Sequence, residues 1–165
     1  MKRSLLVVSQ IFVVLLALAI RMFAPGWWLV ILVMSAGVAA AVVLAPPLLA
    51  GVMAVVFAPS LRSRTVAALV ATDLAVLSFA LTLPDFTDQY DDHLVPLAAL
   101  ATSDGNVSGS AATTFESIAA ASAIAYTIGA VAVVVLSILD HRRAGRVARL
   151  GHDLGSIGSR ELSLS

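Results

Sequence analysis

Cysteine is absent from the 165 residues, which excludes disulfides, thiolate catalysis and thiol-ligated metal. Charge is scarce: Asp, Glu, Lys and Arg make up 12% of the chain, where soluble domains carry about 25%. The shortage is concentrated in four apolar runs, roughly Ser4–Ile20, Trp27–Phe57, Val66–Leu83 and Ile118–Leu139, whose one charged side chain is Asp73. Enzyme signatures are missing too. There is no Gly-rich phosphate loop, His-Glu-x-x-His, nucleophile elbow or pair of membrane-depth carboxylates. No catalytic residue and no cofactor is therefore assigned. His93, His141 and His152 all lie outside the runs, which argues against haem held between helices.

The remaining composition is 60% hydrophobic. Each run is about as long as the ~20 residues a helix needs to cross a ~30 Å hydrocarbon core, where a helix satisfies its backbone within one segment. The expected fold is all-α, an integral membrane four-helix bundle over residues 1–139. Its helices are placed at about 4–23, 27–57, 65–83 and 115–139. A long acidic outer loop, 84–114, joins the third and fourth, and 140–165 forms a basic, partly flexible cytoplasmic tail. The second run is too long for one upright crossing, since 31 residues would extend ~46 Å as helix. Pro46-Pro47 removes two backbone donors and disfavours helical geometry at Ala45. Either a helix Trp27–Leu44 is followed by a shorter segment Leu48–Phe57, or one kinked helix tilts. The first run has an alternative reading as a signal peptide, because Lys2-Arg3, the apolar stretch and Ala17-Leu18-Ala19 follow that pattern, although the stretch is longer than usual.

Orientation follows from the basic residues near the run ends. If four helices alternate, Lys2, Arg3, Arg62, Arg64, Arg142, Arg143, Arg146, Arg149 and Arg160 share one side, and only Arg21 falls on the other. The loop from Pro84 to Glu116 has no Lys or Arg but holds Asp85, Asp88, Asp91, Asp92, Asp104 and Glu116. Both termini are expected in the cytoplasm, with Trp27 and Trp28 in the outer aromatic belt. The preference for Ala, Val, Leu, Arg and Asp over Ile, Lys and Asn points to a GC-rich bacterial genome, hence an inner membrane.

Asp73 is the intramembrane polar candidate. It lies about eight residues, ~12 Å, beyond the start of its helix, where a carboxyl costs at least ~2.5–3.5 kcal/mol and normally faces protein or water. No cation lies at its depth. Gln10 is the best placed neighbour if the first and third helices run the same way, with Tyr126 and Thr127 as second choices nearer the outer leaflet. Ala67, Ala71, Ala75, Ser78 and Thr82 form a small-residue stripe almost opposite Asp73, so both faces of this helix are expected to be covered. In the fourth helix, Thr113-Thr114-Phe115-Glu116 matches a capping box. Ala119/Ala123, Ala121/Ala125 and Ala125/Gly129 are small-xxx-small pairs suited to close packing, within the bundle or in a homo-oligomer.

Outside the runs the signals are weaker. Asp88, Asp91, Asp92 and His93 have donor types a divalent cation accepts, although an acidic solvated loop accounts for them equally well. Leu94–Leu100 reads as a short apolar dip, and Thr102–Ala112 as a flexible linker. Beyond the last run, Arg142, Arg143, Arg146 and Arg149 are placed to meet anionic lipid headgroups, while single glycines weaken any tail helix. The functional expectation is an accessory, assembly or scaffold subunit that works through helix contacts with other membrane proteins or with itself. The alternative is a proton- or cation-coupled transport component using Asp73, and an enzyme acting on lipids ranks third. Nucleic-acid binding has no support.

Overall fold

The described residues are mostly helical, as expected where apolar runs must satisfy their own backbone. The computed structural model describes residues 3–35, 37–38, 45, 48–49, 51–53, 55–56, 62–86, 93–102 and 105–162, and of 148–162 only the backbone course. Its elements are α1 (Arg3–Arg21), α2 (Trp27–Met34), α3 (Ser63–Thr82), β1 (Asp85–Phe86), β2 (His93–Leu94), α4 (Pro96–Ala101) and α5 (Gly109–Leu162).

Helix α3 packs against both α1 and α5, most extensively against α5. Leu83 ends it by turning extended, φ −66 and ψ 113, because the ring of Pro84 disfavours helical geometry in the residue before it. The partners across α1 and α3 keep a nearly constant sequence separation, 63 for Gln10 with Asp73 and 64 for Arg21 with Asp85. The two helices are therefore parallel. Across α3 and α5 the separation changes from 44 at Ser78 and Ser122 to 75 at Thr65 and Asp140, so that pair is antiparallel. Leu6, Leu69, Ala130 and Val133 form one apolar cluster and Ala17, Ile20, Val76 and Ala80 a second, with Gln10 and Asp73 between them along α1 and α3.

Several expectations need correction. Two helices, α3 and the Gly109–Val147 part of α5, are long and apolar enough to cross a membrane, and α1 contributes the shorter apolar helix Leu5–Arg21. Helix α2 has 8 residues, ~12 Å of rise, so among the described residues two helices, where four were expected, reach spanning length. It stops at Met34, well before Pro46-Pro47, and Gly37 adopts φ +80, a left-handed conformation that glycine tolerates and that closes helices. Residues 45, 48–49, 51–53 and 55–56 are again helical, while the two prolines lie outside the described residues.

Helix α5 is longer than expected at both ends. It starts at Gly109, and the Thr113 hydroxyl donates back to the Gly109 carbonyl at 3.0 Å instead of capping. The Ser110-Ala111-Ala112 stretch has no helix breaker, and hydroxyls in helices readily bond one turn back. At the other end it runs to Leu162. No proline follows Pro96, and an isolated glycine costs a helix about 1 kcal/mol, a penalty rather than a stop. Within Thr102–Ala112, expected as flexible linker, the described residues Gly105, Asn106 and Val107 bond to the strand region of the outer loop. β1 and β2 pair antiparallel, Leu94 bridges to Asn106, and Val95 N–H donates to the Gly105 carbonyl at 3.1 Å. Val95 and Pro96 are buried beneath this cap.

Gly129 sets the closeness of α3 and α5. A Cβ there would overlap the Thr72 hydroxyl oxygen and lie 3.3 Å from the Thr72 Cβ. Gly129→Ala should lower stability by about 1–3 kcal/mol, the usual cost of overpacking. Adding Thr72→Ala, which removes the clashing oxygen, should recover much of that loss, read as thermal unfolding in detergent across the four-member cycle.

Candidate functional site

Polar side chains in apolar helices need partners, and most hydroxyls here find them within their own helix. Thr72 donates to the Ala68 carbonyl, Thr82 to Ser78, Thr127 to Ala123 and Ser137 to Val133, at 2.7–2.8 Å. A carboxyl has no such local solution. Asp73 of α3, Asp85 of β1 and Asp140 of α5 therefore each reach another element, and together they make three polar contacts at different heights.

The middle contact joins two of the expected residues. Gln10 Nε2 donates to Asp73 Oδ2 at 2.7 Å, with Gln10 buried to 4% exposure. Gly51 sits against the glutamine, where an added Cβ would come within 2.9 Å of its Cγ. Asp73 Oδ1 is buried with no hydrogen-bond partner among the described residues. Asp73 thus has one oxygen fixed by α1 and one open.

The outer contact went unforeseen and is more fully bonded. Arg21 Nη2 donates to Asp85 Oδ2 at 2.7 Å, and Arg21 Nη1 to the Leu83 carbonyl at 2.7 Å. Asp85 Oδ1 accepts from the Trp28 backbone N–H at 3.0 Å. That amide is one of the orphan donors at the start of α2, so a carboxylate from beyond α3 caps α2 from outside and meets the positive end of its dipole. Asp85 is 1% exposed, and a charge so buried persists only when paired and hydrogen-bonded. A signal for this pair was present in the sequence, since Arg21 is the one basic residue assigned to the outer side and Asp85 the first acid there.

At the inner end the Thr65 hydroxyl donates to Asp140 Oδ2 at 2.9 Å, and Arg62 Nε lies 3.6 Å from Asp140 Oδ1. Asp140, expected to open a solvated tail, is instead buried at 6% exposure. Arg62 is half exposed, so the buried hydroxyl is the firmer partner. Ser78 and Ser122 add a hydrogen bond of 2.8 Å between α3 and α5.

Other expected residues are placed elsewhere. Tyr126 packs on the apolar cluster of Ala17, Ile20, Val76 and Ala80, and Thr127 is exposed and bonded to its own helix. Ala67 and Ala71 of the small stripe are exposed, while Ala75 and Thr82 are buried, so one face of α3 is only half covered. Asp88, Asp91 and Asp92 lie outside the described residues. Their neighbour His93 donates its backbone N–H to Asn106 Oδ1 at 3.1 Å. No group of three His, Cys, Asp or Glu converges among the described residues. Arg142, Arg143 and Arg146 are exposed along α5, and Arg149 follows on the same helix with its side chain undescribed. Compared with known proteins, the chain matches no family model, no curated protein and no solved structure.

The magnitudes separate register from stability. Interhelical polar pairs in membranes average about 0.6 kcal/mol, but a buried acceptor stripped of its donor costs about 1–3 kcal/mol. Gln10→Leu should therefore destabilise by about 2 kcal/mol, and Gln10→Leu with Asp73→Leu by much less. Asp85→Asn, which strands Arg21, should cost about 3 kcal/mol. Both are measured by unfolding in detergent.

Proposed function

We propose that the chain is a multi-pass membrane protein with both termini on the cytoplasmic side, acting as an accessory, assembly or scaffold subunit through helix contacts. The observation that carries this reading is where the apolar side chains point. Only 39% of the most apolar α3 window and 22% of that in α5 are buried, whereas the core helix of a soluble protein is mostly buried. Leu5, Val8 and Phe12 of α1, Val70 and Leu74 of α3, and Ile124, Ile128 and Val131 of α5 are all exposed. Water does not tolerate apolar surface on every helix, and lipid does. Basic side chains support the orientation. Arg62, Arg64, Arg142, Arg143 and Arg146 are exposed at one end, while Arg21 at the other is neutralised by Asp85.

The subunit role draws on exposed small residues, Ala67 and Ala71 on α3 and Ala121 and Ala125 on α5, where a neighbouring helix can approach closely. The Gln10–Asp73 bond suits a register lock in such an assembly. A second reading, a proton- or cation-coupled transport component, is favoured by one observation, the open Asp73 Oδ1.

The cysteine-free chain makes topology directly testable. A cysteine placed at Ser110 should react with an impermeant maleimide in intact cells, and one at Ser63 only after permeabilisation. The reverse pattern, or equal labelling, would sink the orientation. Asp73→Asn keeps an oxygen for Gln10, so fold, partner recovery and proton flux in liposomes should match wild type. Loss of flux with assembly intact would promote the transport reading.

A further inference from the structure

At the inner end of α5, His141, Arg142, Gly145 and Arg146 line an open recess of about 340 Å³. Gly145 leaves it open, because a Cβ added there would meet nothing within 4 Å. The glycine is thus not required for packing, and its missing side chain leaves space beside Arg142, about 60° round the helix. Arg142 and Arg146 are one helical turn apart and on the same face.

The same face continues outward as apolar surface. Ile128, Val131, Val135 and Leu139 are 65%, 60%, 49% and 41% exposed, and at 3.6 residues per turn they fall with Arg142 and Arg146 in an arc of about 80°. One stripe of α5 therefore passes from acyl-compatible side chains to paired guanidinium groups over about one turn. The neighbouring carboxylate, Asp140, is turned away and bonded to Thr65 of α3. Guanidinium forks match the geometry of phosphate oxygens.

We propose that this recess binds the headgroup phosphate of an anionic phospholipid, with Arg142 and Arg146 on the phosphate, His141 at its edge and the acyl chains along Ile128, Val131, Val135 and Leu139. The site rests on the membrane reading above. It assigns recognition to the two arginines that line the recess, and leaves outside Arg143, which does not line it and lies ~100° round the helix from Arg142 and ~60° from Arg146.

The test uses the full-length protein. Retention in pure phosphatidylcholine vesicles after alkaline washing reports membrane residence. Native mass spectrometry from micelles containing equal phosphatidylglycerol and phosphatidylcholine reports the site. Wild type should retain phosphatidylglycerol in preference. Arg142→Ala and Arg146→Ala should each lower that preference about five-fold and together about 25-fold, as expected for ~1 kcal/mol per arginine. Gly145→Leu should abolish it by filling the recess while leaving thermal unfolding unchanged, and Arg143→Ala should change it less than about two-fold. An equal effect of Arg143→Ala, persistence of the preference in Gly145→Leu, or displacement of the lipid by millimolar inorganic phosphate would overturn the assignment. Retention in vesicles without any headgroup preference would overturn the site alone, whereas loss from vesicles would overturn the membrane reading and the site with it.

Discussion

The close contact of α3 with α5 is the constraint from which the other features follow. Gly129 brings α5 so near that the Thr72 side chain lies against its backbone, and only at that separation do Ser78 and Ser122, and Thr65 and Asp140, come within hydrogen-bond reach. In a lipid environment helices gain little from hiding apolar side chains, so dispersion at short range and a few hydrogen bonds must hold them. Helix α1 packs against the same pair, with Leu6 beside Leu69, Ala130 and Val133, which places Gln10 beside Asp73 and Arg21 beside Asp85.

The three polar contacts do different work. The outer one is the most complete, since Asp85 joins the end of α1, the chain beyond α3 and the first turn of α2. It fixes three elements where the chain reverses direction. The inner one ties the start of α3 to α5 at the point where the apolar part of α5 gives way to arginines. The central one is the least complete, with one Asp73 oxygen bonded and one not. That asymmetry is why the structural and the transport readings both address Asp73.

Much of this was legible along the chain because its causes are local. Apolar length marked the helices, Leu83-Pro84 marked the end of α3, and equal depth from parallel starts picked out Gln10 for Asp73. The failures share a cause as well. The capping-box spacing at Thr113 was genuine, but a continuous run of helix formers upstream absorbed it into the interior of α5. Asp140 looked like a solvated tail residue because nothing in its neighbourhood announces Thr65, 75 positions earlier. Thr102–Ala112 looked like linker because the ladder bonds between His93–Val95 and Gly105–Val107 join residues that carry no periodic signal.

By itself the sequence determined the helical class, the apolar runs, the asymmetry of positive charge and the single acid within those runs, since each depends on composition or spacing within one segment. The tertiary structure decided which of those segments become helices long and apolar enough to span a membrane, where α2 stops, which faces of α3 are packed, and that Asp85 and Asp140 are buried partners instead of surface charges. Those outcomes depend on distances between groups far apart in the chain. The backbone separation that Gly129 permits is a property of two helices together, and neither helix carries it alone.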